Sequence, residues 1–454
     1  MTSTMPDLPR APGLAAVVER VSAARMLATV HELARDHYAG RRVGTPGGRA
    51  AAAWLAERLR ELGAEVELDS FPVADVRELY ATPVLEWSAG GQALRLEHRR
   101  DFVEHLASAE LPEPRTAPLA AASEADLHGR WVLAEAGDWA QACERAEAHG
   151  AAGVLTARGT DAEGWMPKMI AGPATRAVPI IALRTDQHAR LADALAISPV
   201  QVTGSMPLRQ ISTQGHNVHA RFPASAHARG TGTGPRVLLT AHYDGVGDDP
   251  GMRLPAAADN ASGVAAVLEA ARVLAADPAT RADLSVAFVD AEETGAWGSA
   301  HHAAALPSDT LVINLDGAAQ LHQAASVEAG GPAHALLATL DQAARLTGVP
   351  LRAGAMASDN RRYAAAGVAA IGIGMGMPGY QTPPKPPTAS RQAPSWRPRD
   401  CWSPRSDCWP SRPRSDQLTM AYPRVGCCAQ VPPVDDRAAA CWVKCSARAV
   451  ILPR

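Results

Sequence analysis

The chain has 454 residues, a formal net charge of −3 and 47% apolar residues, so it is long enough for about two or three domains with sizeable cores. The small net charge gives no electrostatic reason to expect a nucleic acid or an anionic membrane as partner. No apolar run approaches the roughly 20 residues that span a bilayer, and the N-terminus lacks the basic and apolar regions of a secretory signal. These features predict a cytoplasmic protein that binds neither nucleic acid nor membrane.

The chain opens with two predicted helices and a strand. Apolar residues recur at helical spacing through residues 17–38 and again through 49–62, and Gly63 lies where a C-terminal cap belongs. Apolar and polar residues then alternate over residues 64–71, which is typical of a strand. The pattern then changes, and short strand-like runs alternate with helical segments through residues 76–205. We therefore interpret residues 1–75 as the first part of one domain and the segment after it as an insertion.

From residue 206 to residue 383, apolar strands alternate with amphipathic helices. Residues 237–240, 284–290 and 311–316 are nearly all apolar, as expected of strands that are buried on both faces. A helix is predicted after the first of these strands, over residues 261–276. This alternation predicts an α/β fold, a mostly parallel mixed sheet with helices on both faces.

Side chains that commonly bind metals lie at the end of each of these strands. They are His242 and Asp244 after the first strand, Glu292 and Glu293 after the second, Asp316 at the end of the third, and Asp259 at the start of the following helix. Because the carboxyl ends of parallel strands meet at one edge of a sheet, we expect these side chains to lie together. Clustered carboxylates repel one another unless a cation neutralises them. One histidine with several carboxylates and no nearby cysteine favours Zn²⁺ or a similar divalent ion.

Taken together, these motifs resemble the M28 family of co-catalytic zinc peptidases, which are mostly aminopeptidases. The stretches that carry the resemblance are His242-Tyr243-Asp244, the block AADNASGVAAVLEAAR from Ala257, Glu292-Glu293 with Gly298-Ser299, Leu315-Asp316, and SDN at 358–360 followed by Tyr363. The resemblance covers residues 25–75 and 205–380 and implies a zinc-exopeptidase-like fold, of the phosphorylase/hydrolase-like type.

The segment between these two parts resembles a protease-associated (PA) domain inserted into a peptidase. The resemblance rests on GRWVLAEAGDWAQACERAEAHGAAGVLTARG and on AVPIIALRTDQHARLADAL. We interpret this segment as a lid or a substrate-recognition module, and a purely structural insertion is the alternative. The predicted domains are residues 1–75 and 206–383 as two parts of the peptidase domain, 76–205 as the PA-like domain, and 384–454 as an aberrant or disordered tail.

The resemblance also implies a role for each site residue. His242 and Asp316 would bind one zinc ion, Asp259 would bridge two ions, and Glu293 would bind the second. Asp244 would fix the tautomer of His242 through a hydrogen bond. Glu292 would be the general base that takes a proton from a metal-bridging water and passes it to the leaving amine.

One expected ligand departs from the family pattern. The family has a histidine in a Y-H-T/S-P motif after its last core strand, and here Gln381 occupies that position in Tyr380-Gln381-Thr382-Pro383. An amide oxygen is a poorer zinc ligand than imidazole, so we expect a weaker second site. His301 and His302 are alternative imidazoles, but their distance from Glu293 along the chain favours a surface or structural role.

The sequence changes abruptly after Pro383. Pro, Arg, Ser, Trp and Cys crowd the stretch from residue 384 without a helical or strand period, and every cysteine except Cys143 lies there. This composition is typical of out-of-frame translation of a GC-rich gene. A genuine disordered extension is a second interpretation. A cysteine-based metal module is a third, although the spacings Cys401-x6-Cys408 and Cys441-x3-Cys445 match no zinc template.

The function that we predict is a zinc-dependent peptidase that hydrolyses peptide bonds, most simply an aminopeptidase acting on peptides or small proteins. Two alternatives keep the same fold. One is a catalytically impaired M28-like binding protein, motivated by Gln381 and by the loss of an ordered C-terminus. The other is a glutaminyl-cyclase-like acyltransferase with one zinc ion. Ser358 to Tyr363 is predicted to form a wall of the specificity pocket.

Overall fold

The computed structural model describes residues 19–223, 234–277 and 282–383. In chain order its strands are β1 (Glu65–Leu79), β2 (Leu85–Ala89), β3 (Gln92–Arg95), β4 (Phe102–Glu104), β5 (Leu111–Ala121), β6 (Trp131–Leu133), β7 (Gly153–Arg158), β8 (Ile180–Arg184), β9 (Val200–Met206), β10 (Leu208–Arg221), β11 (Arg236–His242), β12 (Asp283–Val289), β13 (Thr310–Leu315), β14 (Ala325–Gly330), β15 (Leu351–Ala353) and β16 (Ala369–Gly374). The predicted aberrant tail, residues 384–454, and its cysteine-based alternative lie outside the described residues.

The α-helices of the same ranges are α1 (Ala23–Leu33), α2 (Pro46–Glu61), α3 (Trp139–His149), α4 (Thr185–Ile197), α5 (Ser262–Ala275), α6 (Trp297–Ala303), α7 (His334–Thr347) and α8 (Asn360–Ala365). Shorter helical turns lie at Asp36–Arg41 and Ala257–Ala261. None of the helices that the structure describes is long and apolar enough to cross a membrane.

The first sheet has the strand order β1-β10-β12-β11-β13-β16-β14-β15. Its centre is parallel, since β12, β11, β13 and β16 all run in the same direction. On one side β10 and β1 continue the sheet in antiparallel fashion, and on the other side β14 pairs antiparallel with β16 and parallel with β15. The prediction of a mostly parallel mixed sheet is therefore confirmed.

Both faces of the parallel strands are buried, which explains why their sequences are almost continuously apolar. In β11, Val237 and Leu239 point to a core that α1, α2, α5 and α7 cover. Leu238, between them, points to the opposite core together with Ala303 of α6 and Tyr363 of α8. Successive side chains of a strand face opposite ways, so a strand between two helical layers needs apolar residues at every position.

The register of the parallel strands decides where their polar ends meet. His242 at the end of β11 pairs with Val289 of β12, and Thr240 of β11 pairs with Asn314 of β13. The three strands therefore end at the same edge of the sheet. The residues that follow them are the predicted ligands and acids, so the strand-end clustering expected from the sequence is confirmed for these elements.

Residues 85–206 contain a second sheet, with the order β3-β2-β9-β5-β6-β7-β8-β4. Its strands β5, β6, β7 and β8 are parallel, and β4, β2, β3 and β9 are antiparallel to their neighbours. Leu133, Leu155 and Leu183 belong to one core of this sheet, and α3 contributes Ala142 and Cys143 to another. The insertion thus has a sheet and cores of its own, and its interpretation as a PA domain stays a prediction.

The first strand is longer than the alternation of apolar residues predicts. The strand expected over residues 64–71 extends to Leu79, so the predicted domain boundary at residue 75 falls inside β1. A bulge between Val73 and Val76 shifts the register against β10, and Asp75 in the bulge has a positive φ of 62°. The bulge interrupts the alternation of inward and outward side chains. The alternating pattern in the sequence therefore ends at the bulge, although the strand continues beyond it.

Candidate metal centre

His242, Asp259 and Asp316 form the centre of the site. Nε2 of His242 lies 3.2 Å from Oδ1 of Asp259 and 3.3 Å from Oδ1 of Asp316. The ligand atoms of the three residues all lie within 4.8 Å of one another, and the three residues are buried. Among the residues that the structure describes, this is the group of histidine and acidic side chains whose geometry could hold a metal ion.

The local backbone explains how Asp259 reaches the ends of two strands. It lies in the short helical turn that precedes α5, and the next residue, Asn260, is fully buried. The side chain of Asn260 donates to the carbonyl oxygen of Leu315 at 3.0 Å and accepts from the N–H of Gly317 at 3.0 Å. Asn260 thus fastens this turn to the end of β13, next to Asp316.

Asp244 links the histidine to the pair of glutamates. Its Oδ1 lies 3.5 Å from Nδ1 of His242, on the side of the ring away from Asp259 and Asp316. Its two carboxylate oxygens also accept hydrogen bonds from the main-chain N–H groups of Glu292 at 3.1 Å and Glu293 at 3.2 Å. Asp244 therefore holds the turn that carries the glutamates, and its role in orienting the imidazole of His242 stays a prediction.

Glu293 and Gln381 lie on the other side of Asp259. Nε2 of Gln381 donates to Oε2 of Glu293 at 2.6 Å and lies 3.5 Å from Oδ2 of Asp259. Both residues are buried, and Oε1 of each has no hydrogen-bond partner within the described structure. The structure thus brings Gln381 to the position that the resemblance gives to the last ligand.

The charges of the site favour a bound cation. Burial raises the pKa of Glu293 well above its usual range, and the carboxylates of Asp259 and Glu292 raise it further. Burial likewise raises the pKa of Asp259 and of Glu292, with Asp316 adding to both shifts. A divalent cation relieves such repulsion, and oxygen and imidazole donors suit zinc, so the residues present fit the metal.

The general-base candidate, Glu292, is partly exposed at this edge of the sheet. Its main-chain N–H donates to Asp244, and the charges of His242, Asp316 and Asp259 act on the pKa of its carboxyl group. Its neighbour Glu293 is bonded to Gln381 instead. Glu292 and Glu293 lie in a turn, and their division into a base and a ligand stays a prediction.

The alternative imidazoles lie elsewhere. Nε2 of His301 is 2.9 Å from Oδ2 of Asp69, on β1. Nδ1 of His302 is 3.0 Å from the hydroxyl of Tyr363, inside the core. A surface or structural role for both histidines agrees with these contacts. Ser358 and Tyr363 are also buried, and a role of this stretch as a wall of the specificity pocket stays a prediction.

Two further residues near the site, Arg41 and Asp290, belong to no sequence motif that would predict them. Arg41 is fully buried and donates to four main-chain carbonyl groups, those of Leu33, Tyr243, Pro255 and Ala256. Asp290 accepts hydrogen bonds from the N–H groups of His216 and Ala291, and burial raises its pKa to about 8. Asp290 ends an apolar run beside the glutamates, which is the one signal in the sequence that points to it. Arg41 is recognised only from long-range contacts.

Comparison with known proteins agrees with this geometry. Residues 217–407 match the sequence model of the family described as Peptidase family M28. Over this range the chain is similar to M28 peptidases. All the predicted ligands, from His242 to Gln381, lie within the matched range.

Two curated relatives of this chain are aminopeptidases by name. The probable lipoprotein aminopeptidase LpqL of Mycobacterium tuberculosis is 27% identical over 314 residues, which are 65% of this chain and 58% of the relative. Aminopeptidase YwaD of Bacillus subtilis is 26% identical over 271 residues, 57% of this chain and 53% of the relative. The chain thus spans a little over half the length of these curated relatives.

Solved structures share the fold of this chain over most of its length. The aminopeptidase from Aneurinibacillus sp. strain AM-1 superposes with a TM-score of 0.59 at 22% identity, covering 82% of this chain and 89% of that one. BSAP, a zinc aminopeptidase from Bacillus subtilis, gives 0.58 at 23% identity, covering 80% and 88%. The peptidase M28 precursor of Shewanella amazonensis SB2B gives 0.60 at 16% identity, covering 97% and 95%. At these identities the likeness establishes the fold.

Proposed function

We propose that the chain is a zinc-dependent aminopeptidase that removes N-terminal residues from peptides or small proteins. The observation that carries the proposal is the convergence of His242, Asp259 and Asp316 beside Glu292, at the edge where parallel strands end. The M28 domain and the names of the curated relatives support the same reaction class. The cytoplasmic location stays a prediction.

In this proposal the residues hold zinc in two places. His242 and Asp316, together with Asp259, would hold one ion, and Glu293 with Gln381 would hold a second beside Asp259. When bound, zinc lowers the pKa of a water molecule and polarises the carbonyl group of the substrate. The second place is the weaker one, because Gln381 supplies an amide where an imidazole would bind zinc better.

The chain's own residues handle the proton. Glu292 takes a proton from the attacking water and delivers it to the nitrogen of the leaving amine. The same carboxyl group acts as a base in the first transfer and as an acid in the second. Asp244 holds the turn of Glu292 through the main chain, so the base stays aligned with the ligands.

Zinc content and turnover test the proposal together. The chain is stripped with a chelator, reloaded with zinc, and assayed on aminoacyl-anilides with free and with N-acetylated amino groups. We expect chelator-sensitive release that requires the free amino group. Zinc binding without turnover on any substrate would instead favour the catalytically impaired binding protein.

The glutaminyl-cyclase-like alternative is separated by its product. A peptide with an N-terminal glutamine releases ammonia when it is cyclised and free glutamine when it is hydrolysed. We expect glutamine and no ammonia, because Asp259 between the two groups of ligands and the adjacent pair Glu292 and Glu293 suit hydrolysis at a two-ion site. Ammonia release with no hydrolysis of aminoacyl-anilides would contradict the aminopeptidase proposal.

A further inference from the structure

A residue near the start of the chain, Gly40, contacts the segment that joins two of the predicted ligands. We call residues 243–258, which connect His242 with Asp259, the ligand loop. The N–H of Gly247 donates to the carbonyl of Gly40 at 3.2 Å, and a Cβ on Gly40 would lie 2.8 Å from Cα of Gly247. Gly40 also has a positive φ of 70°. This side of the ligand loop is therefore packed backbone against backbone.

On its other side the ligand loop is held by a lysine of the inserted domain. Nζ of Lys168 donates to the carbonyl oxygens of Gly247 and Asp248, each at 3.0 Å, and lies 3.1 Å from Oδ1 of Asp249. The main-chain N–H of Lys168 donates to the carbonyl oxygen of Gln381 at 3.2 Å. Lys168 is only 3% exposed. One buried residue of the insertion thus contacts two separate segments that carry predicted ligands.

An arginine reinforces the same contact. Arg99 is 1% exposed, and it donates to the two carboxylate oxygens of Asp249 at 2.7 and 3.1 Å and to Glu104 at 2.8 Å. Two cations and two carboxylates are therefore buried together, which keeps the cluster balanced in charge. Beside it, Ile170 of the insertion packs with Val246 of the ligand loop.

We propose that the inserted domain is part of the metal centre, with Lys168 as the positioning residue that sets the ligand loop and Gln381. An ordinary ion pair between domains joins side chains, and its loss leaves each backbone where its own domain holds it. Here the ammonium group binds two carbonyl groups of the ligand loop itself. The path of the chain between His242 and Asp259 therefore depends on a residue of the insertion.

This inference rests on the proposed zinc-dependent function, because positioning matters only if the ligands bind an ion. It goes beyond that function, since it gives the insertion a role that requires no contact with the substrate. It also predicts that the metal affinity of the peptidase part depends on the insertion. A lid or a recognition module would change the Michaelis constant and leave the affinity for zinc unchanged.

The variant Lys168→Met tests the inference in the full-length chain. Arg99 still neutralises Asp249 in this variant, so no buried carboxylate is left unpaired. We expect amide hydrogen exchange to become faster in the ligand loop and around Gln381, and the dissociation constant for zinc to rise about tenfold or more. If Lys168→Met does not fold, Lys168→Gln, whose amide retains donors at shorter reach, is measured in its place.

The matched control is Arg184→Met. Arg184 belongs to the same inserted domain and pairs with Asp101 and Asp186 of that domain. We expect its loss to leave exchange in the ligand loop and zinc affinity unchanged. Unchanged exchange in the ligand loop of Lys168→Met, or faster exchange with unaltered zinc affinity, would overturn the inference. A wild-type chain that binds zinc but cleaves no substrate would refute the proposed function alone, because both readouts of the inference are independent of turnover.

Discussion

Nε2 of Gln381 donates a hydrogen bond to Oε2 of Glu293 at 2.6 Å. A neutral N–H group of the amide therefore contacts the carboxylate of Glu293, at the position where an imidazole ligand is expected. A neutral donor offsets the charge of Glu293 only in part, and the pKa of Glu293 is raised by burial and by the neighbouring carboxylates. The identity of residue 381 should therefore decide how strongly a second ion is held.

We expect Gln381→His to strengthen the second zinc site. Imidazole is a better zinc ligand than an amide oxygen, and the side chain already points to Glu293 and Asp259. Titration with zinc, followed by metal analysis after gel filtration, should show a stoichiometry closer to two ions than that of the wild type. The control Gln92→His adds a histidine at an exposed position of β3. An unchanged stoichiometry in Gln381→His would show that residue 381 is not a ligand.

We expect Glu292→Gln to lower kcat by about 10²- to 10⁴-fold, because the variant cannot accept the proton of the attacking water. Zinc affinity should stay close to that of the wild type, since Glu292 is proposed as a base and not as a ligand. The measurement pairs steady-state kinetics on an aminoacyl-anilide with a zinc titration. Glu67→Gln, at an exposed position of β1, serves as the control. Full activity of Glu292→Gln would refute the assignment of the base.

The sheet, and the edge at which its parallel strands end, were predictable because both follow from local patterns in the sequence. Strands buried on both faces are apolar throughout, and polar residues at their ends stand out against that background, as His242 and Asp316 do. The bulged second half of β1 was not predictable, since the bulge at Asp75 removes the two-residue period. Strand β14, which pairs antiparallel with β16, was also absent from the sequence-based prediction.

The residues that hold the backbone around the site could not be predicted either, and the reason is different. Arg99 and Asp249 are 150 positions apart in the sequence, and their ion pair depends on how the insertion packs against the ligand loop. Arg41 likewise acts through carbonyl groups, which every residue has, so no side-chain motif marks its partners. Ligand types at strand ends can be read from a sequence, whereas the residues that hold a backbone in place require the fold.

We expect Asp244→Asn to weaken zinc binding by about 10- to 100-fold. The amide has one acceptor oxygen for the two N–H groups of Glu292 and Glu293, and it removes the negative charge beside Nδ1 of His242. Competition with a chelator of known affinity measures the change. Asp309→Asn removes an exposed carboxylate that pairs with Arg236 and should have no effect. Equal affinities for Asp244→Asn and the wild type would contradict the orienting role of Asp244.

His302 gives a prediction about stability that does not involve the metal centre. Burial, together with the neighbouring His219 and His301, lowers its pKa from 6.5 to about 3. Between these two pH values the unfolded chain binds a proton at His302 that the folded chain does not. Folding stability from this residue is therefore fully present above pH 6.5 and is lost as the pH falls toward 3. Within this window each pH unit removes at most about 1.4 kcal/mol.

The variant His302→Gln isolates this contribution. A glutamine cannot take up the proton, and its amide can still meet the hydroxyl of Tyr363, which lies 3.0 Å from Nδ1 of His302. Urea unfolding at pH 7, 6, 5 and 4 should show that the wild type loses stability more steeply than the variant as the pH falls. Other carboxylates and histidines titrate in both proteins, so the difference between the two slopes carries the test. Parallel slopes would show that His302 is not held neutral by its surroundings.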